Sequence, residues 1–372
     1  MGLLPAGRPE RVRRNLPVEA TIFRHFYSDD ATPEGLAART LELTRSATVI
    51  KLTPDPYFMT LSFGGRAAPR ERNDVRPALA VAPVSPEAGA WQDFWLRDRT
   101  HIDRVLATVR LLKASPEASG KPLYVNVFAP FTVAMQCDGR LVERLADASE
   151  RPAVARGLAA IASATAEYIR ELAAAGADGV FYANKCMRHE LGALVDEWVV
   201  PMDMLALAPL RAGQDGEEGG GAGDQRARSL AVALHCCGSN INYERILSTI
   251  GHVYPAETAF SWNFEGGNPS LEHVLENTSL RVWGTYPRGL LRDAVDPASA
   301  ADLESFLLRH RQWLEEAGHL HRVVIGPDCC PGAFIGEEVP AIGWGVVQRA
   351  YQQWLPDAPA AQSSSVVAAV TV

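Results

Sequence analysis

Short apolar runs alternate with longer stretches of helical period along most of the chain. The runs that predict strands are VEATIF (18–23), ATVIKL (47–52), LAVAPV (79–84), LYVNVF (123–128), GVFYAN (179–184), LAVALHC (230–236), RVWGTY (281–286) and RVVIGP (322–327). ETAFSW (257–262) is a further candidate. Several are apolar at successive positions, as strands buried on both faces are. Three intervening stretches predict helices. TPEGLAARTLELTRS opens on a threonine cap with proline at the first helical position. RPAVARGLAAIASATAEYIRELAAAGA is rich in alanine and leucine and closes on glycine, and DPASAADLESFLLRHRQWLEEAG has an acidic start and a glycine stop.

Strands alternating with helices imply a parallel sheet with helices outside it. Eight or nine strands in 372 residues fit an α/β fold of the closed (β/α)8 TIM-barrel type better than an open sheet. No G-x-G-x-x-G follows the early strands, which argues against dinucleotide binding. The expected organisation is an N-terminal extension (1–16), one barrel domain (17–355) and a C-terminal tail (356–372) whose serine run suggests partial disorder. The glycine-rich charged stretch 211–229 reads as a mobile loop within the barrel domain.

The 47% hydrophobic content suffices for such a core. Net charge is −8, with no basic stripe, so neither nucleic acid nor an anionic membrane is an expected partner. The basic first residues, MGLLPAGRPERVRRN, lack the apolar stretch of a secretory signal, and no apolar run reaches membrane-spanning length. The expected location is the cytoplasm. The oligomeric state stays open, a homodimer included. Six cysteines in a chain of this size and location are not a disulfide framework, and four of them stand as adjacent pairs, Cys236–Cys237 and Cys329–Cys330. Cys137 and Cys186 read as packing residues.

Polar side chains cluster where the apolar runs stop. His25 follows the first run, Lys51 and Asn126 interrupt the second and fourth, and Asn184 and Lys185 end GVFYANK. His235 and Cys237 end LAVALHCC, Trp262 and Asn263 end ETAFSWN, and Asp328, Cys329 and Cys330 follow RVVIGP. In a (β/α)8 barrel the C-terminal strand ends meet on one face, which carries the active site. Catalytic candidates on that face are His25, Asn126, Asn184, Lys185 and Asn263.

The metal candidates follow from ligand chemistry. Imidazole and thiolate ligands select zinc, and a catalytic zinc keeps three protein ligands and an open position. Residues i and i+2 of a strand share a face, which pairs His235 with Cys237 and turns Cys236 toward the outer helices. Cys329 or Cys330 would supply the third ligand. Asp328 would be a fourth ligand or a carboxylate orienting His235. Sulfur-rich ligation favours activating a thiol over hydrolysis by zinc-bound water.

These motifs resemble the uroporphyrinogen decarboxylase superfamily, in particular its zinc-dependent methyltransferase branch, related to cobalamin-independent methionine synthase. GKPLYVNVFAPFTVAMQCDG resembles its Pro-Phe-Thr segment, AAAGADGVFYANK its Gly-Ala-Asp strand, and ALHCCGS the branch's His-x-Cys-Gly. VVIGPDCCPG resembles its Gly-x-Cys segment and puts Cys329 at the ligand position. The region reading EATIFRHFYSDD lacks the arginine-rich segment of true decarboxylases, which argues against a polycarboxylate tetrapyrrole, and Thr285 departs from the family's asparagine. The resemblance implies a zinc-dependent methyl- or alkyl-transferase with His235, Cys237 and Cys329 as ligands. Its partners would be a small-molecule thiol acceptor and a methyl donor: a methylated corrinoid protein, a folate or a small metabolite. A cofactor-free decarboxylase of a small aromatic or heterocyclic acid is the alternative, with Lys51, Lys185, Arg188 and His25 as candidate groups. A non-catalytic metal- or corrinoid-binding module is the third.

Overall fold

The computed structural model describes residues 18–25, 32–67, 79–84, 89–211, 230–264, 266–330 and 340–354. Most of the glycine-rich stretch, the N-terminal extension and the C-terminal tail lie outside the described residues.

Eight parallel strands form one sheet: β1 (Glu19–Ala20), β2 (Ile50–Leu52), β3 (Leu123–Phe128), β4 (Gly179–Asn184), β5 (Ala231–Cys236), β6 (Ala259–Trp262), β7 (Val282–Trp283) and β8 (Val323–Ile325). Their spatial order is β1-β8-β7-β6-β5-β4-β3-β2. This is a TIM-like arrangement, but the barrel is open where closure was expected. β1 and β2 share no ladder. The Thr48 hydroxyl takes the hydrogen bond of the Ala20 N–H (2.8 Å), while the Ala20 carbonyl accepts from both Thr48 and Val49 N–H groups (3.0 Å each). A side chain thus stands where a strand partner would, and β2 starts only at Ile50.

Two strand expectations also change. Leu79–Val81 pairs antiparallel with Arg66–Ala67 in a separate two-stranded sheet, and ETAFSW supplies the barrel strand instead. An apolar run cannot by itself distinguish a barrel strand from an excursion; Pro83, which has no N–H to donate, follows this one closely. RVWGTY contributes only Val282–Trp283, because Gly284 takes a φ of 84° and turns the chain out of the ladder.

The helices start and stop where local chemistry dictates. Thr32 Oγ1 accepts from the Gly35 N–H ahead of Pro33–Thr44, and Asp296 and Ser299 form a reciprocal capping box ahead of Pro297–Glu316. Gly176, at φ 101°, ends Arg151–Ala175. The outer faces of the strands pack on these helices in the main core. A second apolar cluster fills the barrel interior: Val49, Tyr124, Phe181, Ala233, Ala259, Trp283 and Val324. Because same-face positions recur every second residue, the next inward positions are Lys51, Asn126, Ala183, His235, Ser261 and Gly326. The interior therefore changes from apolar to polar within one step along the strands, toward their C-terminal ends.

Candidate functional site

At those ends one ligand atom each from His235, Cys237 and Cys329 lies within 4.8 Å of the others. Cys237 Sγ and Cys329 Sγ are 3.8 Å apart, joining residues 92 positions distant in sequence. β5 places His235 and Cys237 on one face, while Cys236 is 1% exposed and packs in the outer core. Burial raises the Cys236 thiol well above its ordinary value. The Cys237 thiol is lowered to about 6, first by a hydrogen bond from Cys329 and then by the Lys185 and Arg288 charges. Cys329, its partner in that contact, is pushed up to about 12, by Cys237 first and then by burial.

His235 Nδ1 sits 3.0 Å from Ser261 Oγ, and its ring stacks on Phe181 with centroids 5.2 Å apart. Ser261, not Asp328, therefore orients the imidazole and leaves Nε2 for the thiols. Asp328 serves the backbone: its two carboxylate oxygens accept from Phe264 N–H and Arg288 N–H (2.9 Å each). Those bonds fix the turn from which Cys329 reaches Cys237. Sequence reasoning missed Ser261; its signal was a lone hydroxyl in the apolar run AFSW, in register with His235 on the neighbouring strand.

Other expected residues fall in different places. Asn126 is inward-facing and 3% exposed. Asn263 Oδ1 accepts from Gly238 N–H (2.8 Å), and Asn268 Nδ2 donates to the carbonyls of Gly238 and Asn263, so this pair braces the turn after Cys237. Lys185 lies near enough to Cys237 to lower its thiol, while its own N–H donates to Thr132 Oγ1 (2.9 Å). His25 Nδ1 meets the Pro54 carbonyl at 2.7 Å, and its backbone hydrogen-bonds the Cys330 sulfur. Cys330 thus meets the segment after β1 and the Lys51 charge, and it is not part of the group formed by His235, Cys237 and Cys329. The Lys51 Nζ lies 3.3 Å from the ring centroids of both Phe23 and Phe181. Burial lowers its ammonium to about 7, against the charges of Cys330, Cys329 and Cys237. Trp262 turns into the core, with Nε1 donating to the Pro269 carbonyl.

Asn184 does not join this face. Its side chain points outward, donating to Asp203 Oδ2 (2.7 Å) on helix Val200–Ala206 and accepting from Cys186 N–H (2.8 Å). Tyr182 Oη and Tyr254 Oη also donate to Asp203 (2.6 and 2.5 Å). Burial of Asp203 outweighs these bonds and raises its carboxyl from 3.8 to about 6. A raised carboxyl stabilises the fold below its unfolded value, and that contribution is lost as pH climbs through the folded value. Between pH 4 and 7 wild-type protein should lose about 2 kcal/mol relative to Asp203→Asn. Denaturant unfolding across that range checks this; superimposable pH profiles would contradict it.

No family model matches the chain, and no curated protein matches it in sequence. Solved structures match its fold. A methyltransferase from Methanosarcina mazei superposes with a TM-score of 0.64 at 15% identity, over 91% of this chain and 94% of that one. A protein described as a vitamin-B12-independent methionine synthase from Listeria monocytogenes gives 0.46 at 11% identity, covering 87% and 86%. A B12-independent methionine synthase from Shewanella, in complex with selenomethionine, gives 0.40 at 13% identity, with the same coverage. The first therefore shares this chain's fold over nearly the whole of both chains. Among the described residues, no helix is long and apolar enough to cross a membrane.

Proposed function

We propose that this chain is a zinc-dependent methyl- or alkyl-transferase that activates a thiol acceptor at His235, Cys237 and Cys329. The single observation that carries this reading is the convergence of those three donors at the C-terminal strand ends. The donor set fits the metal. Zinc–sulfur bonds of ~2.3 Å in a tetrahedron place two sulfurs about 3.8 Å apart, and the Cys237–Cys329 separation is 3.8 Å. When bound, zinc would hold an incoming thiol as the thiolate and leave its lone pair for an electrophilic carbon. The protein's part is to keep the imidazole turned by Ser261 and to face the gathered negative sulfur with Lys185, Arg288 and Lys51. The fold likeness to a methyltransferase supports the reaction class. The donor remains one of three chemical kinds: a methylated corrinoid protein, a folate or a small metabolite.

The buried amine of Lys51 favours one second reading, decarboxylation, in which that cation would sit over a substrate carboxylate. Chelation separates the two. Under the transferase reading, removing metal stops alkylation of thiols and re-adding zinc restores it; release of CO2 from an aromatic acid, undiminished by chelation, would favour decarboxylation. A more local expectation concerns Ser261→Ala. Loss of the Nδ1 partner should weaken zinc binding by roughly 10–100-fold with the fold intact, read by competition with a chromogenic chelator. Unchanged affinity would remove Ser261 from the account.

A further inference from the structure

Five of the six cysteines are buried, and Cys237 is the half-buried one. The thiols away from the His/Cys/Cys group are held by packing. Cys137, Cys186 and Cys236 lie in the main core, with Cys186 Sγ 3.7 Å from the Thr132 hydroxyl. The Cys330 sulfur is engaged by the His25 backbone. Among the described residues, the two sulfurs in hydrogen-bond contact are those of Cys237 and Cys329, 3.8 Å apart. The contact pairs a sulfur that solvent reaches with one that is buried.

That pairing has a covalent end point. Disulfide sulfurs stand about 2.05 Å apart, so the contact closes by roughly 1.8 Å from 3.8 Å. This is a movement on the scale of side-chain torsions. Within each adjacent pair a bridge is disfavoured, because consecutive Cα atoms stand closer than disulfide geometry normally takes. Cys236 also faces the outer core, away from Cys329. The bond would join residues 92 positions apart, on the ends of β5 and β8, with β6 and β7 between them in the sheet. A bridge closing so long a loop restricts the unfolded chain strongly.

We propose that Cys237 and Cys329, when they hold no metal, are oxidised by a hydroperoxide to a reversible disulfide that shuts the site. The Cys237 sulfur attacks one peroxide oxygen and the O–O bond breaks. The displaced hydroxide leaves with the thiol proton as water, and Cys237 becomes a sulfenic acid. The Cys329 sulfur then attacks the Cys237 sulfur. The S–S bond forms, the S–O bond breaks, and the hydroxide leaves with the Cys329 proton as a second water. Two sulfurs are oxidised and two peroxide oxygens are reduced. The bond removes two of the three metal donors and leaves His235 alone. Zinc and the oxidant thus compete for the same sulfurs. The bond itself needs no metal; its effect on activity rests on the thiol-activating reading above.

The test uses the full chain, reduced, with and without zinc, and hydrogen peroxide as the probe. Intact mass and peptide mapping read the product. Metal-free wild type should lose the mass of two hydrogen atoms and yield one linked peptide pair, Cys237 with Cys329. The oxidised chain should take up no zinc, melt at a higher temperature than the reduced metal-free chain, and recover zinc uptake after dithiothreitol. Zinc loaded beforehand should prevent the mass loss. Cys236→Ser and Cys330→Ser should form the same bond. Cys329→Ser should instead gain oxygen at Cys237, since the resolving thiol is gone. Wild type that gains oxygen, keeps all its thiols, or links Cys237 to Cys236 or Cys330 would overturn the proposal. A reduced chain that takes up no zinc yet forms this bond would uphold the disulfide and overturn the metal assignment, so the two failures are separate.

Discussion

Cys237→Ala should leave the chain without zinc, while Cys236→Ser should retain it. Wild-type protein is expected to hold about one zinc per chain, and a three-ligand site rarely survives loss of a ligand. The structure makes the contrast sharp because the two cysteines are neighbours with opposite surroundings. Cys237 faces Cys329 at 3.8 Å, with Lys185 and Arg288 favouring its thiolate. Cys236 is sealed among apolar side chains that hold it as a thiol. The second pair should divide in the same manner: Cys329→Ala loses metal, and Cys330→Ala, whose sulfur is engaged by the His25 backbone, keeps it. His235→Ala should match Cys237→Ala. Elemental analysis after gel filtration decides the set. Full occupancy in both Cys237→Ala and His235→Ala, or a reversal within either cysteine pair, would contradict the assignment.

Gly284→Ala should be strongly destabilising, although it adds only one methyl group. At φ 84° a side chain is strained, and a Cβ there would meet the Pro327 carbonyl oxygen at 2.6 Å and the Asp328 Cα at 3.1 Å. Those atoms belong to backbone and cannot swing away. Left-handed strain together with overpacking should lower stability by about 2–4 kcal/mol. The displaced backbone is the one that carries Cys329, so zinc affinity should fall as well. Stability near wild type together with undiminished zinc binding would mean that the packing of Gly284, after β7, on Pro327 and Asp328, after β8, does not position the metal group.

Much of this was legible in the sequence because it depends on local rules. The Thr32 and Asp296 caps and the Gly176 stop announce three helices, and LYVNVF and GVFYAN coincide with β3 and β4. The alternation of strand faces separates Cys237 from Cys236 without any tertiary information. What was not legible depends on partners distant along the chain. Nothing in ATVIKL says that Thr48 would bond Ala20 through its side chain and leave the barrel open. Nothing near Asn184 announces Asp203, which draws its side chain outward. Ser261, which carried no expected role, stands beside His235 where Asp328 was expected, because these hydrogen bonds are set by the register of neighbouring strands and by a turn.

The central claim is that Cys237, Cys329 and His235 hold a zinc whose open position takes a thiol. X-ray absorption at the zinc edge, before and after adding 3-mercaptopropionate, tests it most directly. The account predicts two sulfur ligands, from Cys237 and Cys329, in the resting protein, and three, at roughly 2.3 Å, once the thiol is present. A zinc shell of oxygen and nitrogen alone, or a sulfur count that saturating thiol leaves unchanged, would contradict it.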